Sequence, residues 1–72
     1  MSQNSLIVEL RATMPSVFKR SQVGVLTGGM VNTKTLANLD SQGKGPERFR
    51  LGKLVAYERE AFLAWLESRM GL

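Results

Sequence analysis

Seventy-two residues make one small domain whose core must be compact, with no room for a pocket that encloses a large substrate. The chain holds no cysteine and no histidine, which removes disulfides, thiol nucleophiles, the usual zinc ligands and the usual general bases together. Net charge is +4 but unevenly placed: Met1 to Pro15 sums to zero, Ser16 to Tyr57 to +5 and Glu58 to Leu72 to −1, so the middle of the chain suits a polyanion.

From Asn4 to Met14 the apolar residues Leu6, Ile7, Leu10 and Met14 recur at helical spacing, with Asn4 or Ser5 as cap and Pro15 as stop. A strand through Leu6, Val8 and Leu10 also fits the pattern, and the short helix is favoured. The next element is expected from about Arg20 to Thr27, with Val23 and Leu26 on one face and Phe18 just ahead of it. Gly24 lies inside that helix, where glycine costs about 1 kcal/mol relative to alanine, so close approach of a second helix is expected to offset it. Gly28 and Gly29 end the segment, because glycine adopts the left-handed backbone that closes a helix.

Asn32 is a good N-cap for a helix reaching about Ser41, burying Leu36 and Leu39, with Val31 ahead of it as a staple. "SQGKGP" then breaks the chain. "RFRLGKLVAY" reads as two strands meeting at Gly52-Lys53, a two-residue hairpin turn. An isolated hairpin is marginal in water, so Phe49, Leu51, Val55 and Tyr57 are expected to face the helices. The last element, about Arg59 to Met70, places Phe62, Trp65, Leu66 and Arg69 on one face of a helix.

The two central helices carry the chemistry. A small residue at Gly24 and a bend at Gly28 suit a helix-turn-helix, in which the second helix stands out from the body and enters a DNA major groove. Asn32, Thr33, Lys34, Ala37, Asn38 and Ser41 would then face outward, opposite Leu36 and Leu39. Asn38 suits a bidentate contact to adenine, Lys34 a guanine or a phosphate, and Thr33 a phosphate or a thymine methyl. Arg48, Arg50 and Lys53 on the outer face or tip of the hairpin would grip phosphates beside the groove, and Lys19, Arg20 and Lys44 are further candidate phosphate contacts. The plain alternative is a solvated polar face on a small helical protein.

The order helix, tight turn, helix, "GKGP", "FRLGKLVAY" and "EREAFLAWL" resembles the excisionase and AlpA-like group of small winged helix-turn-helix proteins, relatives of the DNA-binding domain of MerR regulators. The resemblance covers about Phe18 to Leu66 and is carried by Gly43 to Pro46, Leu51-Gly52-Lys53, Tyr57 and Ala64-Trp65-Leu66. It implies an α+β, mostly α fold with a two-stranded wing and a C-terminal helix, residues 18–70, preceded by an N-terminal extension with a short helix, residues 1–17. It further implies sequence-specific binding of double-stranded DNA in excision of a phage or mobile element, or in transcription regulation of one. Asn32, Thr33, Lys34 and Asn38 would be the groove residues and Arg50 and Lys53 the wing. Phe18, Val23, Leu26, Leu36, Leu39, Phe49, Leu51, Val55, Tyr57, Phe62, Trp65 and Leu66 would be core.

Two departures stand out. The turn "TGGMV" is about two residues longer than usual, and Leu54 and Ala56 stand where relatives commonly carry basic residues, which implies a weaker phosphate grip. Expected partners are duplex DNA, a second copy on DNA, or a recombinase, with no membrane and no small-molecule substrate. A protein-interaction adaptor on the same scaffold is the main competitor. RNA ranks below it because no aromatic stacking platform is evident. No enzymatic role, metal or cofactor is expected, since Glu58, Glu60 and Glu67 sit on a short helix and nothing pairs a nucleophile with a base. Met1 to Leu10 carries no basic residue and the longest apolar run, Ala61 to Leu66, falls far short of the roughly 18 residues a membrane span needs, so a cytoplasmic protein is expected.

Overall fold

The computed structural model describes residues 4–69. Met70 of the last predicted helix and the first three residues lie outside that range. The chain runs α1 (Asn4–Thr13), β1 (Val17–Lys19), a 3-10 turn (Arg20–Gln22), α2 (Val23–Leu26), α3 (Thr33–Ser41), β2 (Phe49–Leu51), β3 (Leu54–Glu58) and α4 (Arg59–Arg69). Among the described residues this is an α+β, mostly helical arrangement of four α-helices and one three-stranded antiparallel sheet in the order β1-β3-β2.

α1 is helical, as its periodicity predicts, and Thr13 Oγ1 bonds back to the Glu9 carbonyl at 3.1 Å in its last turn, just before Pro15. Ser5 lies inside the helix rather than capping it, and the side chain of Asn4 lies outside the described residues. Ile7, Leu10 and Met14 join the core, so this segment covers the rest of the fold rather than trailing from it. Arg11 reaches Glu60 on α4 at 3.0 Å, and Arg59 donates to the Met14 carbonyl at 3.1 Å, which ties the C-terminal end of the helix to α4.

The chain then departs from the expected two-stranded wing. Val17–Lys19 forms a third strand, pairing Phe18 with Tyr57 and Lys19 with Ala56. The helix expected from Arg20 to Thr27 is accordingly a 3-10 turn followed by a single short helical segment. Gly24 does not mark a close helix crossing: a Cβ there would meet only the Val31 carbonyl oxygen, at an ordinary 3.9 Å.

Both loops around α3 are closed by glycine. Gly28 has φ +64° and donates to the Val25 carbonyl, while Gly29 donates to Gly24, the paired bonds of a Schellman stop. After α3 the same pattern recurs, with Gly43 at φ +73° donating to Asp40 and Lys44 donating to Leu39 at 2.9 Å. Thr27, the C-cap of α2, is buried, its hydroxyl donating to the Val23 carbonyl at 2.7 Å and accepting from Val31 N–H at 3.1 Å. One side chain thus joins α2 to the approach of α3. Asn32 caps α3 as expected, its Oδ1 accepting from Lys34 N–H at 2.7 Å and Thr35 N–H at 3.4 Å.

The core gathers Ile7, Leu10 and Met14 with Phe18, Val23, Leu36, Val55, Tyr57, Phe62 and Leu63. Phe18 meets Phe62 edge-on at 5.2 Å between ring centroids and lies 5.7 Å from Tyr57. Burying Val23, Leu36, Phe62 and Leu63 completely contributes about 1.5–3 kcal/mol each. Leu26, Leu39, Trp65 and Leu66 of the predicted core are half-buried. Trp65 is held by its indole N–H, which donates to the Lys44 carbonyl at 2.8 Å and so anchors the "GKGP" loop on α4.

Phe49 and Leu51 are a correction. They are exposed, because a two-residue turn at Gly52-Lys53 pairs Leu51 with Leu54, Arg50 with Val55 and Phe49 with Ala56. Directly paired residues share a face of a sheet, so the buried Val55 brings Arg50 to the helix side and sends Phe49 and Leu51 outward.

Candidate nucleic-acid interface

α3 buries Leu36 and Asp40, half-buries Thr33, Ala37 and Leu39, and leaves Lys34, Thr35, Asn38 and Ser41 exposed. A helix turns 100° per residue, so Lys34, Asn38 and Ser41 form one open stripe, and Thr33 and Ala37 lie on the flank that turns toward the hairpin. Lys34 and Asn38 have free side chains among the described residues' hydrogen bonds and ion pairs. Ser41 donates to the Asn38 carbonyl at 2.8 Å, and its oxygen remains able to accept.

Two predicted groove residues are committed elsewhere. The Asn32 Oδ1 is occupied by the helix cap, and a side chain so held is unsuited to reading a base edge with both of its polar atoms. Thr33 Oγ1 donates to the Arg20 carbonyl at 3.3 Å, which fastens the start of α3 to the 3-10 turn.

Between α3 and the hairpin lies a cleft of about 230 Å³ lined by Arg20, Ala37, Asp40, Ser41, Arg48, Arg50, Lys53 and Val55. A second hollow of about 260 Å³ continues it past Lys19, Arg20, Ser21, Thr33, Lys53 and Leu54. Arg20 and Lys53 line both, so the two form one trough beside α3. Its walls carry Lys19, Arg20, Arg48, Arg50 and Lys53 against a single carboxylate, Asp40. Of the predicted phosphate contacts these five are brought together. Lys44 is not, since it sits in the loop beyond α3, where its carbonyl holds Trp65. Arg48 and Arg50 were expected on the hairpin's outer face or tip, and the register instead puts Arg50 on the α3 side.

Asp40 is the residue that sequence reasoning missed. It is only 4% exposed, and its Oδ2 accepts from Arg20 Nη1 at 3.0 Å and from the Tyr57 hydroxyl, while Arg48 Nη1 stands 3.9 Å from Oδ1. A buried carboxylate is tolerable only when paired and hydrogen-bonded, and Arg20 with Tyr57 supplies both. Burial and the bond to Asp40 push the Tyr57 phenol well above its ordinary value, so it remains a donor. Burial opposes the charge on Arg20, but Asp40 outweighs it and holds the guanidinium above its ordinary value. Gly45 completes the pocket: a Cβ there would collide with Asp40 Oδ1. The signal was present in the helical period, because Asp40 follows Leu36 by four residues and falls on the buried stripe of α3.

What this arrangement can do is present a polar helix face next to a line of cations, of which Arg20 is held from behind by a buried acid. A groove-sized helix flanked by guanidinium groups suits a backbone of phosphates, to which arginine donates bidentately. Among the described residues, no helix is long and apolar enough to cross a membrane. No family model, curated protein or solved structure matches the chain.

Proposed function

We propose that this chain binds double-stranded DNA as a small winged helix-turn-helix protein of the excisionase and AlpA-like kind, acting in the excision or the transcription of a mobile element. The observation that carries the reading is the trough itself, in which Arg48, Arg50 and Lys53 of the hairpin stand beside the open stripe of α3. In this reading α2 and the Gly28-Gly29 bend support α3, which enters the major groove. Lys34 and Asn38 meet base edges, Ser41 and Thr33 border them, and the hairpin lies against the adjoining phosphates. Arg20 contributes through its field more than through new bonds, since Asp40 already holds it.

Three phosphate contacts, from Arg48, Arg50 and Lys53, imply a salt slope of about −2.7, so affinity for duplex DNA should fall by about 40-fold between 50 and 200 mM salt. Electrophoretic or fluorescence-anisotropy titration against a selected and a random duplex tests this. Lys34→Ala or Asn38→Ala should cost about 1–3 kcal/mol on the selected site and little on the random one, whereas Arg50→Ala should weaken both alike. Indifference to duplex DNA at 50 mM salt would sink the proposal.

A further inference from the structure

We infer that the outer face of the sheet is a docking surface for a second copy of this chain. The face turned away from the helices carries Val17, Phe49, Leu51 and Leu54, with Ala56 between them. Leu51 is 78% exposed and Val17 61% exposed, while their strand neighbours Val55 and Phe18 are buried on the opposite face. Taken against full side-chain areas of about 150–200 Å² each, the exposed fractions make an apolar patch of roughly 400 Å². Ala56 pairs with Phe49 and lies diagonal to Val17 and Leu51, so these positions adjoin on one face rather than lying scattered.

The occupant is indicated by charge. Among polar residues on this face, Lys19 and Glu58 border the patch, Lys19 beside Ala56 and Glu58 beside Val17. Neither has an ion-pair partner among the described residues. One cation and one anion edging an apolar centre form a pattern complementary to itself, since a two-fold arrangement meets each Lys19 with the other copy's Glu58. Two such patches with their borders bury about 1,000 Å², the lower limit for a specific interface, which places the dimer among weak, transient associations. The trough runs along the other side of the sheet and shares only Lys19 and Leu54 with this face, so association is read on the protein without DNA.

Sedimentation equilibrium of the protein without DNA tests this. The weight-average mass should rise from 8.0 kDa toward twice that between about 10 µM and 1 mM. Phe49→Gln with Leu51→Gln should keep the mass at the monomer throughout, with Trp65 emission and circular dichroism unchanged. Lys19→Glu alone and Glu58→Lys alone should each weaken association about tenfold, and the two together should restore it. A monomer at 1 mM overturns the proposal, as does a dimer that survives the glutamine substitutions or a charge-swapped pair no better than its single variants.

Discussion

Tyr57→Phe removes one oxygen and leaves every ring contact in place, which makes it a direct probe of the buried acid. The ring stays within 5.7 Å of Phe18 and 6.2 Å of Phe62, so no cavity of consequence opens. What is lost is the hydrogen bond to Asp40 Oδ2, leaving Arg20 at 3.0 Å as the one remaining close donor to that carboxylate among the described residues. Asp40 Oδ1 has no hydrogen-bond partner of its own and cannot take up the loss, and Arg48 at 3.9 Å would have to move to help. Hydrogen bonds to charged groups contribute about 1.5–3 kcal/mol, so the variant should lose about 2 kcal/mol. For a domain of this size that is a quarter to a half of the total stability and lowers Tm by about 10 °C. Urea unfolding followed by the emission of Trp65, the only tryptophan, measures it. A loss under about 0.5 kcal/mol would refute the view that Tyr57 supports the buried carboxylate, because a bond that can be deleted at no cost holds nothing in place.

Four further outcomes follow from the same contacts. Tyr57 is the only tyrosine, and its phenol is raised above its ordinary value by burial and by Asp40. The stabilisation from the neutral phenol is therefore complete below about pH 10 and is lost as pH climbs toward the folded value, so absorbance at 295 nm should rise together with unfolding reported by Trp65. Tyrosinate absorbance appearing near pH 10 in a chain with native emission would contradict this. At the acid end, Arg11 first and then Arg59 hold Glu60 below its ordinary value, so that pair supports the α1–α4 contact above about pH 4.5 and fades as pH falls through the folded value. Glu60→Gln should therefore flatten the acid limb of stability, and an unchanged limb would remove the pair from it. Gly24→Ala should gain up to about 1 kcal/mol, since the site has space and a helical backbone, and a measured loss would restore a close helix contact there. Gly45→Ala should cost roughly 1–3 kcal/mol by pressing on Asp40, and a neutral result would show that the loop can shift away.

The features legible in the sequence are those whose cause is local. Asn32 before a helical stretch, glycine at positive φ after α2 and α3, and a two-residue turn between alternating strands each have a cause within a few residues, and all are present. The third strand is not of this kind. Val17–Lys19 has too few residues for a period to show, and it becomes a strand because β3 offers it a partner that is far away in the chain. Asp40 is a mixed case, since the helical period sets it on the Leu36 stripe, while only Arg20 and Tyr57, distant in sequence, make the burial of a carboxylate there tolerable.

The hairpin is a different case, because there the information is local and the apolar pattern nevertheless points to the wrong face. Once Gly52-Lys53 is fixed as a two-residue turn, Arg50 must face Val55 and Phe49 must face Ala56, so Phe49 and Val55 cannot share a face. Hydrophobicity alone would group the four large apolar residues on one face, which that register forbids. The correct phase alters the functional reading in two ways. It swings Arg50 to the α3 side, where it joins Arg48 and Lys53 in the trough, and it strips Phe49 and Leu51 of the cover that the core would have given them. A single-residue shift in strand phase thus both assembles the proposed phosphate wall and exposes the apolar face proposed to meet a second copy. If Phe49 were instead buried, Arg50 would turn to the outer face, so the phosphate wall would lose an arginine and the apolar patch would lose Phe49 and Leu51.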